Sequence, residues 1–598
     1  MVGRVLITLV LVGLSAAQLT EVSNCPESLP QSKVFCSGRL LEAVNRLRLY
    51  EDSKTFVDLP LLQNPNAVLA AFNRTFPPDR NITENDVPRL RQFISSYFAG
   101  VSSELRECAL HDWTESPGKL EAIKDERYNE WAHDLHRIWR DLCRETSMDV
   151  RDNPDRYTQI YVPHSFVVPG GRFQEFYYWD TYFTIRGLLV SELYDTVESQ
   201  LRALSYMVET YGLVPNGNRV YYLKRSQLPF LTPMVYEWAQ AVDSRRAERF
   251  LQEKIGTLRR EFDFWETQRK RELTLSDGST HEVFWFDAPA NLPRPESYRV
   301  DVEQARHFPD REGKLAFWHN IVTCAESGRD FGSRWFADRR TLTSIELDAI
   351  IPVDLNALLC QNAGILEHFY GILGDETSAA LFREKRRRMR ETVERVFYNR
   401  QLGAWFDYHV GKRAQLTDQF YPAVVTPLAF DCYDTLDKSM PLKLYDYLQR
   451  VGALSFEGGV PASLVRPPTG EQWDFPNGWS PQNVWVLDAL RKSPVPQMQQ
   501  EAFRQTSNIL RTVFAVWQET DAMWEKYNVE GLVPQPGEGG EYNVQKGFGW
   551  TNGAVLDLLH LYGDRVSSGI TSSLLPSSHA SLYFGWTAAA LLLLLQLY

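Results

Sequence analysis

Apolar side chains recur at helical spacing through most of the chain. Tyr128, Trp131, Leu135, Ile138, Trp139 and Leu142 share one face of a predicted helix, as do Leu355, Leu358, Leu359, Leu366, Phe369, Tyr370 and Leu373. Leu510, Val513, Phe514 and Trp517 repeat the pattern, and further helical stretches fall near 186–211, 229–266, 377–398 and 480–492. Strand-like alternation is brief, at Val167-Val168 and about Glu282 to Phe286. Pro and Gly gather in the connections, at Pro169-Gly170-Gly171, Pro293 to Pro295, Pro467-Pro468 and Pro534 to Gly540. The pattern predicts an all-α body. Successive helices joined by long polar loops suggest a closed ring of antiparallel helices with a pocket at one end.

A length of 598 residues would ordinarily suggest about four domains. No low-complexity hinge divides residues 18–563, so a single domain is expected there. The net charge of −12 argues against nucleic-acid binding, which needs clustered Lys and Arg. The one dense basic run, Lys385 to Arg388, lies in a helical pattern with Leu381, Met389, Val393, Val396 and Phe397 and reads as a solvated helix face. The 17 Trp and 27 Tyr suit a ligand with flat apolar faces, sugars included, although core packing also accounts for them.

Both ends carry processing signals. Arg4, an apolar run from Val5 to Leu14 and Ser15-Ala16-Ala17 form a secretory signal peptide over residues 1–17. Asn73-Arg74-Thr75 and Asn81-Ile82-Thr83 are then glycosylation acceptors. The terminal tail over 581–598 is apolar and uncharged from Leu582, but it covers only about 25 Å of a bilayer core about 30 Å thick. Small residues Ser567-Ser568-Gly569, a polar spacer to about residue 580 and this tail match a glycosylphosphatidylinositol attachment signal near Ser567. A short single-pass helix is the alternative. The expected location is the extracellular face of the plasma membrane.

Of seven cysteines, Cys25 with Cys36 and Cys108 with Cys143 could bridge in an oxidising compartment. His133 and His136 lie three apart on one helix without a third ligand in view; surface histidines are expected, with no metal and no cofactor.

Chemistry concentrates in two stretches. Pro169 to Tyr182 (PGGRFQEFYYWDTY) places Arg172, Glu175 and Asp180 among Tyr177, Trp179 and Tyr182. A sugar needs this mixture of directional polar partners and apolar faces, although a helix start with core aromatics has the same composition. Gln472 to Pro481 (QWDFPNGWSP) again flanks an acid with two Trp. Between and after them stand Val214 to Gly217 with Arg225-Ser226-Gln227, Pro293 to Ser297, Ala325 to Phe331, Glu525-Lys526-Tyr527 and Gly537 to Tyr542. The last is no phosphate loop, since it lacks the Lys-Ser/Thr of a Walker motif; a mobile lid bearing Glu541 is expected.

These stretches resemble animal trehalases, glycoside hydrolases that cleave α,α-trehalose into two glucoses. Both long motifs are intact, and Ser53 to Leu61 (SKTFVDLPL), the Asn216/Arg225 region and Gly547 to Gly553 (GFGWTNG) also match. The resemblance implies an (α/α)6 barrel of six helical hairpins and an inverting hydrolase. By motif position Asp330 would be the general acid and Glu525 the general base. Arg172, Trp179, Asp180, Asn216, Arg225, Ser226, Gln227, Arg294, Pro295, Glu296, Gly328 and Glu541 match substrate-contacting positions. Inversion calls for two carboxyl groups roughly 6.5–9.5 Å apart, with room for a water between. Two other readings are a sugar-binding surface glycoprotein with weakened catalysis and a related toroidal glucosidase for another α-linked glucoside.

Two positions depart from the family pattern. Arg329 stands where Trp usually precedes the acid, and Glu538 interrupts the glycine run of the lid. A cation reaching Asp330 would lower its pKa and weaken it as an acid. An Arg329–Glu538 pair across the closed lid is the expectation that would neutralise both.

Overall fold

The structure, a computed structural model, describes residues 20–100, 104–531 and 533–569. The signal peptide and the apolar tail lie outside the described residues.

Helices alternate between an outer and an inner layer. The outer helices are α1 (Glu126–Leu142), α3 (Tyr194–Tyr211), α5 (Ser244–Gln268), α8 (Glu376–Thr392), α10 (Ser439–Arg450) and α12 (Pro496–Thr520). The inner ones are α2 (Tyr178–Val190), α4 (Leu231–Ala241), α7 (Val353–Ile372), the short α9 (Thr426–Ala429), α11 (Ser480–Lys492) and α13 (Gly549–Tyr562). Each inner helix packs on the next, and α13 packs on α2, so the ring closes as an (α/α)6 barrel. A further helix, α6 (Arg311–Ser327), lies in the connection from α5 to α7.

Layer position explains the sequence pattern. All 13 residues of α2 are buried, whereas α8 buries only Ala379, Phe382 and Thr392. An outer helix presents one apolar stripe; an inner one is covered all round. The expected helix over 186–211 is therefore two, with Glu192 in the left-handed region (φ 58°) at the break between α2 and α3. The stretch 229–266 likewise splits at Asp243, whose carboxylate accepts from Arg246 N at 3.0 Å and caps α5. The seam between α2 and α13 is glycine on glycine: a Cβ on either Gly187 or Gly553 would collide with the facing backbone.

Lys385 pairs with Glu266, and Arg387 and Arg388 pair with Glu384, so the basic run is the solvated face its pattern predicts. His136 corrects the expectation of surface histidines. It is buried, its ring stacks on Trp113 and its Nε2 lies 2.8 Å from Thr114 O. Its apolar companions on the inner face of α1 carry it inside. Disulfides join Cys25–Cys36, Cys108–Cys143 and Cys360–Cys432, and Cys324 is buried with a free thiol. Asn73 and Asn81 are both exposed. No helix among the described residues is long and apolar enough to cross a membrane.

Candidate active site

The connections that run from outer to inner helices collect at the N-terminal ends of the inner ring, around a cavity lined by charged and aromatic side chains. Arg172, Trp179, Asp180, Asn216, Arg225, Gln227, Arg294, Glu296, Gly328, Asp330, Glu525 and Glu541 all line it. Ser226 and Pro295 do not. Ser226 is turned into the protein, its N–H donating to Glu326 Oε1 (3.0 Å) and its hydroxyl to Val214 O (2.6 Å). Pro295 opens a 3-10 turn over Pro295–Ser297 that aims its neighbours Arg294 and Glu296.

Local backbone places each group. Gly170 and Gly171 both take positive φ (110° and 59°), and Gly170 and Phe173 close a tight turn that projects Arg172. The Arg172 N–H donates to Gln545 Oε1 at 2.8 Å. Gly328 ends α6 in the left-handed region (φ 71°), and a Cβ there would meet Trp179 Nε1 at 2.8 Å. This close approach turns the chain so that Asp330 enters the cavity. Strand 477–479 pairs antiparallel with 526–528, setting Trp479 opposite Lys526 and so Glu525 beside the tryptophan wall. Trp473 and Trp479 stack at 3.8 Å and, with Trp179 and Trp550, offer the flat apolar faces that sugar C–H surfaces take up.

The arginines are fixed before any ligand arrives. Arg225 donates to Asn216 Oδ1 (2.8 Å) and Glu296 Oε1 (2.5 Å). Arg294 grips Asp301 through Nε and Nη2 (3.0 and 2.6 Å), and Nη2 also reaches Glu541 Oε1 at 2.7 Å. Glu541 is thus tied to the cavity wall through Arg294.

The two proposed acids have different surroundings. Asp330 keeps 31% of its side chain open to the cavity and has Arg294 Nη1 at 3.9 Å, outside hydrogen-bond range. Burial raises its pKa to about 7, with Glu541 adding to the rise against Arg294. Glu525 is buried, its Oε1 accepts from Tyr542 Oη at 2.9 Å, and its Oε2 lies 3.5 Å from Lys526 Nζ. Burial raises this carboxyl too, and Lys526 and Tyr542 oppose the rise. Asp180 carries a third carboxyl, pushed well up by burial and by the charges of Glu525 and Asp330.

Arg329 does not face Asp330, and the expected pair with Glu538 does not form. Arg329 is buried behind the site against Asp354 at 2.7 Å, between Trp179, Phe286 and Trp335. Glu538 is exposed, with its backbone held by Asn477. Adjacent side chains on an extended segment point apart, and Asp354 offers the nearer anion. Asp474, the acid between the two tryptophans, also points away, accepting from Ser333 N and Thr469 Oγ1 at 2.7 Å each. The cavity adds one wall residue outside every stretch singled out in the sequence: Tyr222, whose hydroxyl is 2.7 Å from that of Tyr177. A lone Tyr in a short turn carries no periodic signal.

A family model described as Trehalase matches residues 48–563. The chain is 40% identical to the trehalase of Homo sapiens over 93% of this chain and 96% of that one. It is 41% identical to the trehalase of Oryctolagus cuniculus over 91% and 92% of the respective chains. The fold is similar to that of a neutral trehalase from Saccharomyces cerevisiae, with a TM-score of 0.55 and 22% identity over 69% of this chain and 74% of that chain. The matched span contains the whole barrel and all of the cavity wall. This chain belongs to the trehalase family.

Proposed function

We propose that this chain hydrolyses α,α-trehalose to two glucose molecules with inversion, Asp330 serving as general acid and Glu525 as general base. The observation that carries this is the contrast between the two carboxyls on one cavity. A leaving glucose cannot depart as an alkoxide near neutral pH, so a carboxyl that still holds its proton must protonate the bridging oxygen. Asp330, with its pKa raised by burial to about 7 against the opposing charge of Arg294 at 3.9 Å, meets that need. A second carboxylate must take a proton from the attacking water. Glu525 Oε2 has no hydrogen-bond partner among the described residues, and Lys526 and Tyr542 oppose the rise that burial gives this carboxyl.

In the step itself, the water oxygen bonds to the anomeric carbon as the bond to the bridging oxygen breaks. The water proton passes to Glu525 and the Asp330 proton to the departing glucose. Arg172, Arg225 and Arg294 supply directional donors to hydroxyls, and the four tryptophans exclude bulk water. Hydrolysis needs no cofactor. Trehalose turnover with a glucose readout, followed by NMR of the first-formed anomers, tests the proposal: inversion yields one β- and one α-glucose. Asp330→Asn and Glu525→Gln should each lose about 10²–10⁴-fold in kcat.

The catalytically weakened reading drew on Arg329 alone, and that residue turns away from the acid. Passage through the secretory pathway to a lipid-anchored surface form is also proposed. The two exposed sequons, the three disulfides and the exposed Ser567 support it. Release of activity from membranes by a phosphatidylinositol-specific phospholipase tests the anchor.

A further inference from the structure

Arg172 reaches the cavity from the first long motif, but its partner comes from outside the helical ring. Asp52 precedes the short helix Ser53–Val57 of the N-terminal segment and accepts from Arg172 Nε at 2.7 Å and Nη2 at 2.8 Å. This is a side-on, two-bond pairing, the geometry that fixes a guanidinium most completely. Asp52 is itself fixed, because its Oδ1 also accepts from Lys54 N at 2.9 Å and caps that helix. The segment is pinned again where Arg299 donates to Tyr50 O (3.1 Å) and Glu51 O.

The pairing leaves one edge of the guanidinium open. Nη1 of Arg172 has no hydrogen-bond partner among the described residues, while Arg172 lines the cavity. The same guanidinium lies 4.8 Å over the ring of Tyr542, whose hydroxyl holds Glu525. Without its carboxylate partner, the long Arg side chain would regain its rotamers, and each sugar bound would have to order it again.

We propose that Asp52 is a positioning residue that holds Arg172 with its free N–H edge toward the sugar, so that the N-terminal segment completes the active site. This rests on the hydrolytic reading above, and the test separates the two. Asp52→Ser keeps an oxygen that can cap the Ser53–Val57 helix but removes the carboxylate; Asp52→Glu keeps the charge. For trehalose hydrolysis, D52S is expected to lose about 100-fold in kcat/KM, chiefly through KM, at an unchanged melting temperature. D52E should recover part of that loss. In an Arg172→Lys background, D52S should add almost nothing, because the group it acts through is already gone. Tryptophan fluorescence titration of trehalose into the Asp330→Asn protein, with and without D52S, reads the same effect without turnover.

Absent turnover by the wild type, with D52S still weakening trehalose binding, would overturn the hydrolytic reading and keep the role of Asp52. Wild-type kcat/KM and affinity in D52S would overturn that role, as would a D52S loss of equal size with and without Arg172. A loss explained by a lowered melting temperature, in D52S and D52E alike, would also overturn it.

Discussion

Tyr542 donates its phenolic hydrogen to Glu525 Oε1 across 2.9 Å. The chain neighbour of Glu541 therefore holds the base and favours its ionised form against burial. In Tyr542→Phe the Glu525 pKa rises further. Because the base works only when ionised, the acid limb of the kcat profile moves to higher pH. The rate on the plateau falls about tenfold, as for one hydrogen bond to a charged group. A pH–rate profile of the Phe variant with an unmoved acid limb would refute this.

Asp330 must keep its proton, so activity should decline as pH rises through about 7. Glu541 contributes to that raised value and also occupies Arg294. Glu541→Gln removes a neighbouring negative charge and frees Arg294 to act on Asp330, both of which lower the pKa. The alkaline limb of kcat/KM then shifts to lower pH. A shift in the other direction would count against Asp330 as the acid.

Behind the site Asp354 serves two cations, Arg329 at 2.7 Å and Arg334 at 2.8 Å, and its pKa is held down to about 2. Arg329 is the poorly satisfied member, with Nε and Nη1 unpartnered among the described residues and a pKa lowered to about 10 by burial. Arg329→Met should thus change stability little, since Asp354 retains Arg334. Asp354→Ala leaves the buried Arg329 without its carboxylate partner and Arg334 with Asp407 alone, and should cost about 3–5 kcal/mol. Denaturant unfolding of the two variants compares them directly, and the reverse order would be incompatible with this arrangement.

Glu261 of α5 is buried against the hydroxyl of Tyr178 on α2, and burial alone raises its pKa from 4.5 to about 8. Between those values the folded protein keeps a proton that the unfolded chain has lost. Stability therefore falls as pH rises through this window, by at most about 1.4 kcal/mol per unit from this group. Glu261→Gln should flatten that slope and melt higher than wild type at pH 8. Equal slopes in melts from pH 5 to 8 would show that Glu261 titrates normally.

The outer layer was legible because α1 and α12 meet the rest of the protein along one stripe. The inner layer was less so: α2 is buried on every side, and its boundary with α3 depends on one left-handed residue, Glu192, rather than on periodicity. In the site, the two long motifs converge because each runs into the start of an inner helix, at Tyr178 and at Ser480. Closure of the ring then brings those starts together. Side-chain direction was not legible. Nothing in the order Gly328-Arg329-Asp330 tells that Arg329 turns toward Asp354, a partner 25 positions on. Tyr222 and Asp52 were missed for a related reason, since each acts through a neighbour distant in sequence.

The contact of Gly187 with Gly553 has a bearing on how the molecule is made. Its second half-seam is among the last parts of the folded body to leave the ribosome, and Trp550, part of the cavity wall, arrives with it. A nascent polypeptide stalled ahead of residue 549 holds most of the recognition groups yet has an open gap where the final stave belongs. Binding competence should thus emerge abruptly once this stave has been made, and truncations that reach into it should abolish binding outright.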